Sequence, residues 1–291
     1  SGEVVSRRRT MIIDSHTHIF PEKFRTERIS LLHYDRTFKE LFSKPSSKMA
    51  TADELLSVMD DSGIQVSVIA GIGWENLEVA RESNENILEV CSKYPNRFIG
   101  LASVNPAWRD SATKELLRCI DSGIGGVGEF HPGPQGFQLD DFDILAPFVN
   151  LTISHNLPLL VHSSEPVGHL YPGKGKVTPE VLIRFISHFP AAQIICAHWG
   201  GGLPFYNLMP EVQDLLKNVY FDSAATPFLY NPEIFRVVEN LVGPEKILFA
   251  SDYPLIQPSQ VIDQITGCGF SISTQELILG QNAARLFGLG G

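Results

Sequence analysis

Cysteine is scarce in this chain. Its four residues, Cys91, Cys119, Cys196 and Cys268, lie far apart and form no Cys-x-x-Cys pair, which argues against a disulfide framework or a thiolate zinc site and leaves them as small buried hydrophobes. Basic charge is also short. The 23 lysines and arginines face 33 acidic residues, a net charge of -10, whereas a nucleic-acid surface needs clustered cations to meet phosphates. The one basic run, Arg7-Arg8-Arg9, falls in a polar lead, residues 1–10, read as a frayed or tag-derived tail. No stretch approaches the roughly 18 apolar residues of a membrane span, and the N-terminus has no signal-peptide apolar region, so a cytoplasmic protein is expected. Low-complexity tracts and repeats of 20 to 50 residues are likewise missing.

What the chain does have is apolar material in a regular alternation. Its hydrophobic fraction, 43% of 291 residues, suffices for a large core in one domain, residues 11–291. A β-branched run at Met11-Ile12-Ile13 leads into Asp14-Ser15-His16-Thr17-His18 and stops before Pro21. Further short apolar runs follow at residues 66–71, 98–104, 125–130, 158–162, 194–198, 219–223 and 247–252, each separated from the next by helical sequence. Thr51-Ala52-Asp53-Glu54 opens one such helix with a capping-type start, and Gly63 ends it. Eight strands that read as nearly continuous apolar runs suit parallel pairing with both faces covered, so the chain is expected to be a (β/α)₈ TIM barrel. Residues 22–50, polar and mixed, read as an insertion near the exit of the first strand, at the C-terminal face.

On a strand, side chains at i and i+2 share a face, so His16 and His18 form a pincer suited to a metal ion; two histidines bonded only to neighbouring loops are the alternative. In a barrel, reactive groups gather at the C-terminal ends of the strands. There the sequence places His16 and His18 on the first strand, Glu129 on the fourth, His162 on the fifth and His198 on the sixth, with Asp222 on the seventh and Asp252 on the eighth. Four of the chain's nine histidines therefore fall at one rim beside carboxylates. Imidazole and carboxylate donors without thiolates suit Zn²⁺, and also Mn²⁺, Fe²⁺ or Ni²⁺.

These motifs, with Ala197-His198-Trp199-Gly200-Gly201-Gly202, Ala250-Ser251-Asp252-Tyr253-Pro254 and the closing Gly280-Gln281-Asn282-Ala283-Ala284-Arg285-Leu286-Phe287, resemble the amidohydrolase superfamily in its amidohydrolase-2 branch. The resemblance spans nearly the whole chain in the family's order. It implies that His16, His18, His162 and Asp252 bind a divalent metal, most readily Zn²⁺, as one or two ions, and that His198 binds a second ion or contacts the reacting group. Glu129 stands where many two-metal relatives carry a carboxylated lysine; it either ligates or hydrogen-bonds within the rim, and one carboxylate can span cations about 3.5 to 4 Å apart.

The activity implied first is hydrolysis, with water activated by the metal attacking an amide, lactone or ester of a small substrate while Asp252 moves its proton and His198 polarises the carbonyl. The second is nonoxidative decarboxylation, because the motifs at 197–202 and 251–254 also resemble 2-amino-3-carboxymuconate-semialdehyde decarboxylase and its aromatic-acid relatives. A binding barrel without turnover is a third reading. The resemblance further implies a homodimer. Asp14 is expected to support the ligands rather than join them, Asp222 to do the same or, preferentially, to cap a loop, and His131 to shape the Pro132-Gly133-Pro134 turn or touch substrate. His155 and His188 sit near helix C-termini in structural roles, and His33 and His169 lie in loops. Lys174, Lys176, Arg25, Arg28 and Arg36 either meet a substrate carboxylate or form a solvated basic surface. Gly200-Gly201-Gly202 is expected to let backbone pass close to the ligand.

Overall fold

A computed structural model describes residues 11–289; the expectations for residues 1–10 lie outside the described residues. Eight strands run in sequence order around one parallel sheet, with every neighbouring pair joined by a crossover through helix: β1 (Ile13–His18), β2 (Val66–Ala70), β3 (Phe98–Ala102), β4 (Gly126–Phe130), β5 (Leu159–Val161), β6 (Ile194–Cys196), β7 (Val219–Asp222) and β8 (Ile247–Leu248). The chain past β8 completes the circle. Ser15 N–H donates to Phe249 O at 2.9 Å, Asp252 N–H to His16 O at 2.9 Å and His18 N–H to Tyr253 O at 2.8 Å. The fold is the expected (β/α)₈ barrel.

Side-chain alternation sorts two cores. Leu159 and Val161, Ile194 and Cys196, and Ile247 and Phe249 pack outward under the helices, where Phe148, Phe185 and Phe235 are buried. Leu160, Ile195 and Leu248, one residue along on each strand, point the other way and fill the barrel with Ile13, Val68 and Leu101. At the end away from the histidines, Ala283 and Leu286 of helix Asn282–Leu286 join that inner cluster. Burying each such aliphatic side chain stabilises the fold by about 1.5–3 kcal/mol.

Local signals hold where they were strong. Helix Ala52–Ser62 begins with a capping box between Thr51 and Glu54 and ends at Gly63, whose φ of 69° is the left-handed region glycine favours. Two segments hold structure that the sequence pattern did not resolve. Residues 22–50 hold three short helices, Glu22–Thr26, Arg28–Tyr34 and Arg36–Phe42, because Phe24, Leu31 and Phe38 recur every seven residues and bury together with Phe20 and Trp74. The helical sequence between the sixth and seventh strands is broken into Leu203–Tyr206 and Pro210–Leu215, since Pro210 cannot donate into a preceding turn and instead starts a new one.

Candidate metal centre

Two of the strands that carry site residues contain an extra residue at the point where they deliver them. In β1, Asp14 lies opposite Ser67 but Thr17 lies opposite Ile69, so three steps on β1 match two on β2. In β4, Val127 pairs with Leu159 and Phe130 with Val161, the same mismatch. Such a bulge reverses the alternation locally. Val127 and Phe130 therefore both pack outward, which leaves Glu129 turned inward. Gly128 makes this workable: its φ is 143°, and a Cβ there would meet the Leu160 carbonyl at 2.7 Å.

His198 is delivered differently. Its φ is 54° and Trp199, Gly200 and Gly201 follow at 58°, 58° and 60°, a left-handed turn in place of a continuing strand. L-residues resist this region by about 1–2 kcal/mol each. The glycines remove that cost at their positions. They also admit close packing: a Cβ on Gly201 would collide with the Ser164 carbonyl, and one on Gly200 would press on the Phe221 ring at 3.0 Å.

All six residues singled out from sequence converge. His16, His18 and Asp252 form one group and Glu129, His162 and His198 another, with the offered donor atoms in each group within 4.8 Å of one another. Glu129 links them: its Oε2 lies 3.3 Å from His16 Nε2 and 3.4 Å from His18 Nε2, and its Oε1 lies 3.1 Å from His162 Nδ1 and 3.9 Å from His198 Nε2. Asp252 Oδ1 stands 3.2 Å from His18 Nε2 and 3.7 Å from His16 Nε2. Asp252 is thus a member of the cluster.

Each imidazole is held from behind, which fixes which nitrogen faces inward. His16 Nδ1 donates to Asp222 Oδ2 at 2.8 Å, His18 Nδ1 to Gly71 O at 3.0 Å and His198 Nδ1 to Ala224 O at 3.0 Å. His162 is reversed, with Nε2 donating to Lys174 O at 3.0 Å. Four inward nitrogens are left as lone pairs facing one another and two carboxylates. His16 Nε2 and His18 Nε2 are only 3.0 Å apart. Such a set of acceptors is reconciled by a proton or a cation between them, so these residues fit a divalent metal ion.

The electrostatics agree. Burial opposes charge on His16, yet the carboxylates of Asp222 and Glu129 outweigh it and raise its pKa well above the usual imidazole range. Burial likewise raises Glu129 and Asp252, but His16 and His162 pull Glu129 well below the carboxylate range, and His18 with His16 pulls Asp252 down.

The surrounding residues take clear places. Asp222, expected mainly as a loop cap, accepts from His198 N and Ala224 N through Oδ1 and supports His16 through Oδ2. Asp14 supports the rim, as expected, accepting from Ser251 N at 3.0 Å and Ser251 Oγ at 2.5 Å; burial moves its pKa up to about 7 against those bonds. His131 stacks on His162 with ring centroids 4.3 Å apart and donates to Gly173 O, and burial followed by the His162 charge pushes its pKa down to about 3. His155 and His188 lie at helix C-termini; His33, expected in a loop, lies on helix Arg28–Tyr34, and both it and His169 are exposed.

Most of the basic residues considered for substrate are engaged in structure. Arg25 donates to Met49 O and pairs with Glu54, Arg28 donates to the carbonyls of Phe42, Lys44 and Ser47, and Arg36 donates to Pro134 O and pairs with Glu75. Lys174 is buried on carbonyls of its own loop, while Lys176 is exposed. The carbonyls of Gly71, Lys174 and Ala224 that orient the histidines have no signature in sequence, because any residue type supplies a backbone oxygen.

The amidohydrolase family model matches residues 13–289. The 2-amino-3-carboxymuconate-6-semialdehyde decarboxylase of Dictyostelium discoideum is 26% identical, over 97% of this chain and 92% of that protein. A gamma-resorcylate decarboxylase from Rhizobium sp. (strain MTP-10005) is 23% identical, over 82% and 88% respectively. The crystal structure of 5-carboxyvanillate decarboxylase from Novosphingobium aromaticivorans, complexed with manganese and 4-hydroxy-3-methoxy-5-nitrobenzoic acid, superposes with a TM-score of 0.79 at 19% identity, covering 97% of both chains.

Proposed function

The chain belongs to the amidohydrolase-2 branch of the amidohydrolase superfamily, and from that premise we propose that it is a metal-dependent, nonoxidative decarboxylase of a small carboxylated molecule. The observation that carries this reading over hydrolysis is the near end-to-end correspondence with a relative named as a decarboxylase. In this reading the enzyme is cytoplasmic, works on a free small molecule and assembles as a homodimer.

His16, His18, His162 and Asp252 would hold the divalent cation, with Glu129 completing the collar and His198 standing beside it with Nε2 left for the substrate. Zn²⁺ suits these donors, as do Mn²⁺, Fe²⁺ and Ni²⁺. When bound, the ion supplies positive charge that orients the substrate carboxylate and stabilises electron density left after CO₂ departs. The protein's own groups do the rest. Asp222, Gly71, Lys174 and Ala224 keep the imidazoles from rotating, so the collar is organised before substrate arrives. His198, fixed through Nδ1, presents Nε2 as the place where a proton is held. The bond between carbon and carboxylate breaks, its electron pair stays on carbon, and the proton from His198 Nε2 fills that position; one proton taken up from solvent restores the histidine.

Hydrolysis is the second reading, on one observation. Glu129 spans both donor groups, a placement that suits two cations and water attack. Incubating metal-loaded protein with hydroxybenzoate, lactone and amide panels separates the two: CO₂ release from a carboxylate is expected, and lactone or amide cleavage without CO₂ would overturn the decarboxylase reading.

A further inference from the structure

The loop that leaves β5 folds back beside the metal centre and is fastened from within. Lys174 is buried, and its ammonium donates to two carbonyls of the same loop, Val167 at 2.7 Å and His169 at 3.0 Å. Its own carbonyl accepts from His162 Nε2, and the adjacent Gly173 carbonyl accepts from His131 Nε2 at 2.9 Å. Pinned at both ends, the loop holds its side chains in fixed places.

Two of those side chains end in polar atoms that are buried and, among the described residues, have no hydrogen-bond partner, Glu165 Oε1 and the Tyr171 hydroxyl. Leaving such atoms unpaired is costly, so they point to a group that pairs with them. The stretch that carries Tyr171 runs beside the centre, since a Cβ on Gly173 would sit 3.4 Å from the His131 ring and one on Gly175 3.9 Å from the His162 ring; burial first, then the charges of Glu165, Asp252 and Glu129, push the Tyr171 pKa up. Tyr230 adjoins Glu165 as well, its hydroxyl raised by burial and then by the charge of that carboxyl group and a hydrogen bond to it, which leaves Oε1 as the unpaired oxygen; the Tyr230 oxygen lies 4.0 Å from where a Cβ on Gly202 would sit, close to the His198 turn.

We propose that Glu165 and Tyr171 are specificity-determining residues that receive a hydrogen-bond donor, a hydroxyl or amino group, on the part of the substrate away from its reacting carboxylate. Glu165 Oε1 accepts from that donor and the Tyr171 hydroxyl completes its bonding. A second carboxylate in the same place meets Glu165 with like charge and no proton to share, so dicarboxylates are excluded. The proposal rests on the decarboxylase reading only for the substrate's first carboxylate.

Binding is the decisive readout, because it does not depend on turnover. Calorimetry on Mn²⁺-loaded protein with benzoate, the three monohydroxybenzoates and isophthalate is expected to show at least one hydroxybenzoate binding about tenfold more tightly than benzoate, and isophthalate more weakly than either. Glu165→Gln should bring isophthalate within reach of benzoate, and Tyr171→Phe should reduce the hydroxyl preference about threefold or more. Lys174→Met should weaken all ligands alike and speed hydrogen exchange of the loop while leaving the ratios unchanged. Metal content, measured on the same samples, should match the wild type for Glu165→Gln and Tyr171→Phe. Unchanged ligand ratios in Glu165→Gln overturn the proposal, and so does a wild type that binds none of these carboxylates. Retained ratios in a protein that releases no CO₂ would leave this proposal standing and count against the decarboxylase reading instead.

Discussion

The two ends of the barrel are built on opposite principles. At the floor, Ile13, Leu160, Ile195 and Leu248 alternate regularly along their strands and close on Ala283 and Leu286. At the mouth, bulges in β1 and β4, the left-handed turn at His198 and a positive φ of 68° at Asp252 break the regularity, and acceptor atoms face acceptor atoms. Only the floor is built for stability alone. The mouth spends part of that stability to hold a collar of donors in one geometry.

The comparison can be broken most sharply from the mouth. Asp252→Asn keeps the shape of the side chain but removes a charge from the collar. Turnover is expected to fall about 10³-fold while the thermal midpoint of the metal-free protein stays within a few degrees of the wild type; steady-state kinetics beside calorimetric melting check both halves. The reverse pattern is expected at the floor. Ile195→Ala leaves a cavity and should cost about 2–5 kcal/mol in denaturant titration, with turnover per folded molecule within about twofold of the wild type. Removing metal by chelation should lower the midpoint by an amount equivalent to about 3 kcal/mol if the ion was present at a hundredfold over its Kd, and readdition of Zn²⁺ or Mn²⁺ should restore it.

Backbone strain at the mouth gives a smaller effect. Gly201→Ala adds a Cβ against the Ser164 carbonyl at a φ of 60° and should cost about 1–3 kcal/mol while also lowering turnover, whereas Gly63→Ala, with open space around it, should cost less and leave turnover unchanged. The smallest effect lies outside both ends. Glu115 is buried beside Asn84 and Arg118, and although burial raises its pKa, Arg118 and Asn84 bring it below the usual glutamate value. A depressed folded pKa means stability that is present above the unfolded value and lost as pH falls through the folded one. Glu115→Gln is therefore expected to destabilise by about 1 kcal/mol at neutral pH, with the difference from wild type shrinking below pH 4.5, as melts across pH would show.

Sequence made the barrel and the collar legible for the same physical reason. Short apolar runs ending in His or Asp mark strands that bury their length in the barrel and gather polar groups at one rim, and His16, His18, His162, His198 and Asp252 all sit at such ends. The rest was hidden where the cause is tertiary or carried by backbone. Phe24, Leu31 and Phe38 kept a seven-residue spacing that signals helix, but the polar residues between them masked it. The bulge that turns Glu129 inward depends on Gly128 meeting Leu160, a contact between strands that no local pattern records. Asp222 caps the loop through Ala224 N, as its sequence suggested, but its bonds to His16 and His198 were not legible because those partners are far away in the chain. Lys174 and the arginines read as free cations, since nothing local shows that carbonyls and carboxylates already engage them.

One measurement reaches the centre of this account: elemental analysis of purified protein, with the metal-to-chain ratio compared between wild type and a variant carrying His16→Ala, His18→Ala, His162→Ala and Asp252→Ala. The account predicts one or two divalent ions per chain in the wild type and essentially none in the variant. A wild type that takes up no ion when supplied with Zn²⁺ or Mn²⁺, or a variant that retains the full complement, would contradict it.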